Sequence, residues 1–227
     1  MGHIDVSGIE HSLSDGRVLL NNVSFRVGDG AKVALIGPNG SGKTTLLRMI
    51  SGDLEPEEGT VSIGGGLGVM RQFIGSIRDE STVRDLLLSF APKRVREAAA
   101  KIKEAEAKMN ETGDEKDQMA YAQGIIEWGD AGGYEFEVIW DTCCTETFGK
   151  SFDEMADRLV NTLSGGEQKK LAVRALLAGP EETVLLDEPD NYLDVPSKRW
   201  LEQVIKDTKK TVLFVSHDRE LLEEVAT

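Results

Sequence analysis

Only two cysteines occur in 227 residues, so little thiol chemistry is available. Cys143 and Cys144 are adjacent, in EVIWDTCCTETF, with no further ligand nearby at metal-binding spacing. Neighbouring cysteines rarely bridge each other, because disulfide geometry holds the two Cα atoms well apart. Buried or half-buried free thiols, in a cytosolic protein, are expected. No apolar run approaches the ~18 residues of a membrane-spanning helix. The first residues, MGHIDVSGIEH, have neither a basic start nor an apolar stretch, so no signal peptide is expected. There is no internal repeat and no low-complexity linker. Positive charge is also scarce: 26 Lys and Arg against 40 Asp and Glu give a net charge of −14. That disfavours nonspecific binding of nucleic acid or membrane over the whole surface, though not a local basic patch.

Residues 37–45 read GPNGSGKTT. Gly37, Gly42, Lys43 and Thr44 satisfy the G-x-x-x-x-G-K-[ST] phosphate-loop pattern. A chain of this length meets that pattern by chance roughly once in a hundred. The context agrees with it. An apolar run, Ala31 to Ile36, precedes the loop and reads as a buried strand; helical spacing follows from Thr44 to Ile50. Glycines free backbone N–H groups to wrap phosphates, and the helix start adds positive potential. Lys43 would reach the β- and γ-phosphates, and the Thr44 hydroxyl would bind Mg²⁺. A plain glycine turn between strand and helix is the competing reading, and the context argues against it.

The first 36 residues carry short β-like runs at Ile4–Ile9, Val18–Leu20, Val23–Val27 and Lys32–Ile36, with turn signals at Asp15-Gly16 and Asp29-Gly30. Further strands are expected near Thr60–Ile63 and Gly68–Gln72. From Ser81, a plausible N-cap, the period becomes helical. PKRVREAAAKIKEAEAKMN sets Val95, Ala98, Ala99, Ile102, Ala105 and Met109 on one face. Helices from Glu115 to Trp128 and from near Tyr134 follow. Residues 76–160 thus read as a helical insert with a hairpin, between α/β segments 1–75 and 161–227. After Gly166, EQKKLAVRALLAGP, TVLLDE, SKRWLEQVIKDT and TVLFVSHD alternate helix and apolar strand, which implies a largely parallel sheet.

One of those strands ends in Asp187-Glu188. An Asp at a strand end is where P-loop enzymes hold Mg²⁺. A carboxylate just beyond it can accept a proton from an attacking water. Taken alone, two surface acids capping a strand would be the better reading; the phosphate loop reverses that. Leu163-Ser164-Gly165-Gly166-Glu167-Gln168 supplies a second anion-binding device, a Ser N-cap and two glycines opening a helix.

LSGGEQ followed by VLLDEP resembles the signature of ABC-type ATPases, and the remaining motifs follow in order over nearly the whole chain. Gln72 matches the Q-loop, Asp194 in NYLD the D-loop, and His217 in FVSHD the switch histidine. The resemblance implies ATP as substrate and Mg²⁺ as cofactor. It places Gly37, Pro38, Asn39, Gly40, Ser41, Gly42, Lys43, Thr44 and Thr45 around the phosphates. Thr44, Gln72 and Asp187 fall on the metal; Glu188, His217, Lys43 and Gln72 fall to catalysis. In that family two domains sandwich two ATPs, so Ser164, Gly165, Gly166 and Asp194 would serve a partner's nucleotide. LSGGE and DEPDNYLD resemble the ABC-F branch, soluble tandem ATPases of which many act on the ribosome. GLGVMRQFIGSIRDESTVRDLLLS looks most like actinobacterial members.

The expected fold is accordingly an α/β P-loop NTPase core with a largely parallel sheet, an N-terminal antiparallel portion and a helical subdomain. The chain closes at LLEEVAT, soon after His217, and is expected to be the N-terminal half of a tandem protein with weak turnover alone. The expected partners are a second ABC domain of the parent chain, or a homodimer mate, and the ribosome. An ATPase subunit of a membrane transporter is the alternative. Two family positions differ: Asp190 replaces the usual Thr and Tyr192 the usual His, and neither removes Glu188 or His217. The stretch expected to stack adenine, Glu10 to Leu13, offers only His11 as a ring. Lys93, Arg94, Arg96, Lys101, Lys103 and Lys108 exceed Glu97, Glu104 and Glu106 locally. That excess reads about equally well as an RNA-phosphate contact or as an ordinary solvated helix face.

Overall fold

In the computed structural model, residues 2–226 are described. The strands are β1 (His3–Ser12), β2 (Val18–Val27), β3 (Lys32–Leu35), β4 (Glu58–Gly64), β5 (Leu67–Met70), β6 (Thr183–Asp187) and β7 (Thr211–Val215). The helices are α1 (Lys43–Ile50), α2 (Val83–Ser89), α3 (Lys93–Thr112), α4 (Glu115–Asp130), α5 (Gly133–Phe148), α6 (Phe152–Met155), α7 (Gly165–Ala178), α8 (Val195–Asp207) and α9 (Arg219–Val225). They form two compact units. One holds the chain up to Ile77 and from Ser164 onward; the other is Arg78–Leu163.

The first unit contains two sheets. β1 lies between β2 and β4, antiparallel to both. The two runs expected at Val18–Leu20 and Val23–Val27 are one strand, because both pair with β1, with a register irregularity where Asn22 takes a left-handed backbone (φ 48°). The second sheet is parallel, in the order β3-β7-β6-β5. β6 and β7 are its central strands and every residue in them is buried. β3 departs from expectation. It is an edge strand that pairs only with β7, so of its residues only Lys32 is buried. Lys32 is tolerated there because its Nζ donates to the carbonyls of Gly30 (2.6 Å) and Lys210 (2.8 Å). The core gathers Ile4, Ile9 and Val27 from the antiparallel sheet, Leu46, Leu47 and Ile50 from α1, and Leu185, Leu213 and Val215 from the parallel strands.

The second unit is helical. α3 and α4 form the expected hairpin, turned at Gly113 in a left-handed conformation (φ 68°). The N-cap of α2 is Thr82 rather than Ser81. Thr82 Oγ1 accepts from Asp85 N while Asp85 Oδ2 accepts from Thr82 N; Ser81 is engaged by Asp79 instead. Trp140, 2% exposed, centres the packing, with ring centroids of Phe152, Phe136 and Trp128 at 5.4, 5.9 and 6.2 Å. Both cysteines are buried on the same helix, and burial pushes the Cys144 thiol up to about 12.

Candidate functional site

Parallel strands deliver their C-terminal ends to one side of a sheet, which is where open α/β folds bind ligands. Register shows what arrives there. Leu35 of β3 and Asp187 of β6 are both paired with Val215 of β7, and Met70 of β5 with Leu186. Beyond those residues follow, in turn, the loop Gly37–Gly42, Gln72, Glu188 and His217.

Two cavities open at that end. One, of about 460 Å³, is lined by Asn39, Gly40, Gly42, Lys43, Thr44, Thr45, Gln72 and Glu188 on the loop side and by Leu13, Arg17 and Leu19 opposite. The other, of about 290 Å³, brings together the three candidate metal ligands Thr44, Gln72 and Asp187, with apolar walls from Leu47, Val69, Met70 and Leu185.

The loop has the local geometry its glycines require. Gly40 and Gly42 are left-handed (φ 79° and 91°), and a Cβ on Gly42 would stand 2.9 Å from Leu20 Cδ2. Pro38 accepts from Ser41 N at 3.2 Å, closing the turn. Lys43 Nζ folds back onto the loop, donating to the carbonyls of Gly37 (2.8 Å) and Pro38 (3.0 Å). Those two carbonyls hold the ammonium where competing phosphate oxygens would draw it away.

Glu188 is held in a left-handed backbone (φ 51°), unusual outside glycine. Its Oε2 accepts from Gln72 Nε2 at 2.8 Å and from Asn191 Nδ2 at 2.5 Å. Asp187 is buried, and its carboxyl is pushed up, first by that burial and then by the Glu188 charge. Asp187 Oδ1 has no hydrogen-bond partner among the described residues. An orphaned carboxylate oxygen in a cavity that also holds a threonine hydroxyl fits a hard divalent cation. Among the described residues no three of His, Cys, Asp and Glu cluster as a closed metal cage. A site of one carboxylate, a hydroxyl and an amide oxygen leaves coordination places open for phosphate and water, as Mg²⁺ requires.

Several expected residues lie apart from these cavities. His217 is exposed just after β7. Ser164, Gly165 and Gly166 open α7, where Ser164 Oγ accepts from Glu167 N and Glu167 Oε2 from Ser164 N. Asp194 caps α8, Oδ1 accepting from Ser197 N at 3.0 Å, and the Ser197 side chain, then its N–H, hold the carboxyl below the usual range. His11 lies within β1, its Nδ1 3.5 Å from Glu57 Oε1, and does not line the 460 Å³ cavity. Leu13, from the same stretch, does. Motif reading missed Arg17 and Leu19 on that wall, and also Gln168 and Lys169 of α7, both buried.

Residues 20–191 match the family model described as ABC transporter. The chain belongs to that family. It is 57% identical, over its full length, to a Mycobacteroides abscessus protein named antibiotic resistance protein, of which it covers 41%. It is 36% identical over 93% of its length to the tylosin resistance ATP-binding protein TlrC of Streptomyces fradiae, covering 39% of that chain. The energy-dependent translational throttle protein EttA of Mycobacterium tuberculosis is 31% identical over 92%, with 37% covered. These relatives bear out the ABC-F kinship. The chain thus spans about two fifths of the length of the curated relatives it matches. In fold it is similar to an ATP-binding cassette solved as a dimer in a post-hydrolysis state with ADP and Pi (TM-score 0.64, 20% identity, covering 98% of this chain and 91% of that one). Among the described residues no helix is long and apolar enough to cross a membrane.

Proposed function

We propose that this chain is the ATP-binding and hydrolysing domain of a cytoplasmic ABC-F protein, coupling ATP-driven domain closure to ribosome binding. The observation that carries the reading is the convergence of Asn39, Gly40, Gly42, Lys43, Thr44, Thr45, Gln72 and Glu188 on one cavity large enough for a nucleotide. In this reading the loop N–H groups and Lys43 bind the triphosphate. Thr44, Gln72 and Asp187 would hold Mg²⁺, which would offset the charge of the phosphates. Glu188 accepts the proton of the attacking water, and the Gln72 amide keeps the carboxylate Oε2 oriented. His217 stabilises the terminal phosphate from the end of β7. Ser164, Gly165, Gly166 and Asp194, apart from this chain's own cavity, serve the nucleotide of a second ABC domain, in the parent chain or in a homodimer mate. Full turnover then needs that partner.

The ribosome enters from the named relatives, one a translational throttle protein and two named for antibiotic resistance. The hairpin adds only qualified support. Four of the six basic side chains of α3 already have carboxylate neighbours: Lys101–Glu127 and Lys108–Glu104 at 2.7 Å, Lys93–Glu97 at 3.6 Å and Lys103–Asp85 at 3.9 Å. These are exposed pairs, which cost little to exchange for phosphates.

The experiment is co-sedimentation of the full-length parent with ribosomes, carrying Glu188→Gln and the matching change in its second half, with and without ATP. ATP-dependent pelleting supports the reading. Its absence with ATP still bound moves the assignment to a transporter subunit or another partner. Reversing Lys101 and Lys103 to Glu should weaken pelleting and flatten its salt dependence; unchanged pelleting assigns those lysines to an ordinary solvated face.

A further inference from the structure

Lys169 is fully buried on α7, five residues past Ser164. Burying an ammonium is costly unless it is paired and hydrogen-bonded. Its Nζ donates to the backbone carbonyl of Glu188. Its charge is answered by Asp190, Glu188 and Asp187, while burial lowers its pKa to about 8. The stem runs against Gly75: a Cβ there would stand 3.1 Å from Lys169 Cγ and Cε. The preceding residue completes the join. Gln168 Oε1 accepts from the N–H groups of Gly75 and Ile77, both at 3.2 Å. The chain just past Gln72 is therefore tied to α7 by one residue, and α7 to Glu188 by the next.

Glu188 needs such a hold. A left-handed backbone at a residue with a Cβ is strained and persists only where its surroundings over-determine it. Its N–H donates to Val215 O at 3.0 Å, so the peptide before it is anchored to β7. Its carbonyl receives Lys169 Nζ and, at 3.4 Å, Asn191 N. Rotation of this peptide would swing the carboxylate off Gln72 and Asn191.

We propose that Lys169 is a positioning residue for Glu188: through the carbonyl it fixes the backbone that aims the carboxylate. The proposal rests on the reading of Glu188 as the general base. Lys169 lines neither cavity, so its loss is expected to change the rate without changing nucleotide binding.

The test uses the full-length parent with its second catalytic glutamate replaced, so that one site turns over, and MgATP as substrate. Lys169→Met is expected to lower kcat on the order of 10²-fold, the usual cost of a misplaced catalytic group, with the Kd for MgATP unchanged. Lys169→Arg, which keeps charge and donors, is expected to restore part of the rate. Added to Glu188→Gln, Lys169→Met is expected to lower hydrolysis no further, because the group it positions is already gone. Where Lys169→Met does not fold, Lys169→Gln carries the same comparison. Folded Lys169→Met or Lys169→Gln with wild-type kcat overturns the proposal, as does an equal loss in the Glu188→Gln background. Glu188→Gln with wild-type kcat overturns the base reading itself, and the Lys169 role with it.

Discussion

Gln72 and Glu188, 116 residues apart in the chain, share a hydrogen bond of 2.8 Å from amide to carboxylate across the mouth of the 460 Å³ cavity. If Glu188 is the base, Glu188→Gln should reduce hydrolysis by ~10²–10⁴ while the loop and Lys43 still bind ATP. Steady-state phosphate release together with equilibrium nucleotide binding checks both halves. Gln72→Ala should lower the rate as well, since it removes an orienting donor and one candidate metal ligand.

Arg17 should contribute to holding the base. Among the described residues no aromatic ring lines the cavity; Leu13, Arg17 and Leu19 form its far wall. A guanidinium stacked on a purine at an exposed site contributes about 0.5–1 kcal/mol. Arg17→Ala should therefore weaken ATP and GTP alike by roughly 2–5-fold. Affinity for inorganic tripolyphosphate should not change. Titration calorimetry with the three ligands decides it, and a loss confined to ATP would show that Arg17 reads the base edge.

The helical unit should depend heavily on Trp140. Its ring meets Trp128, Phe136 and Phe152 and is almost fully buried. Trp140→Ala should cost about 3–5 kcal/mol, read as a lower urea midpoint for the unfolding of that unit.

Cys144 should resist thiol reagents until the protein unfolds, since burial raises its pKa from 9.0 to about 12. The sign of its pH effect follows. A group whose folded pKa lies above its unfolded value stabilises below the unfolded pKa, and that stability is lost as pH rises from about 9 towards 12. Unfolding midpoints across that range should fall in the wild type, and fall less in Cys144→Ala. Labelling by an aromatic disulfide at pH 8 should track the unfolded fraction.

Much of this molecule is legible in one dimension. The strand–loop–helix around Gly37–Thr45 follows from glycine spacing and helical period. The buried runs Thr183–Asp187 and Thr211–Val215 follow from unbroken apolar sequence, which only a central parallel strand satisfies. The hairpin Lys93–Asp130 follows from its 3.6-residue pattern and the turn at Gly113. What failed was decided across the chain. Ala31–Ile36 looks like a core strand, yet β3 lies at the sheet edge, and only pairing order reveals an edge. Ser81 and Thr82 are equal as capping residues until Asp85 completes a box with one of them. His11 is a ring at the expected place, but strand register sends it towards Glu57 and leaves Leu13 and Arg17 facing the cavity.

The sequence by itself determined which residue types are present to bind a triphosphate, because phosphate-loop chemistry is local: a few consecutive backbone N–H groups and one lysine. Only the tertiary structure decided the surroundings of Glu188. Gln72, Lys169 and Val215 reach it from three other segments of the chain, and Asn191 from its own. A buried ammonium on a carbonyl, or a left-handed peptide anchored to a neighbouring strand, leaves no periodic trace in sequence. Such contacts depend on distances between elements, and those are set when the parallel sheet packs.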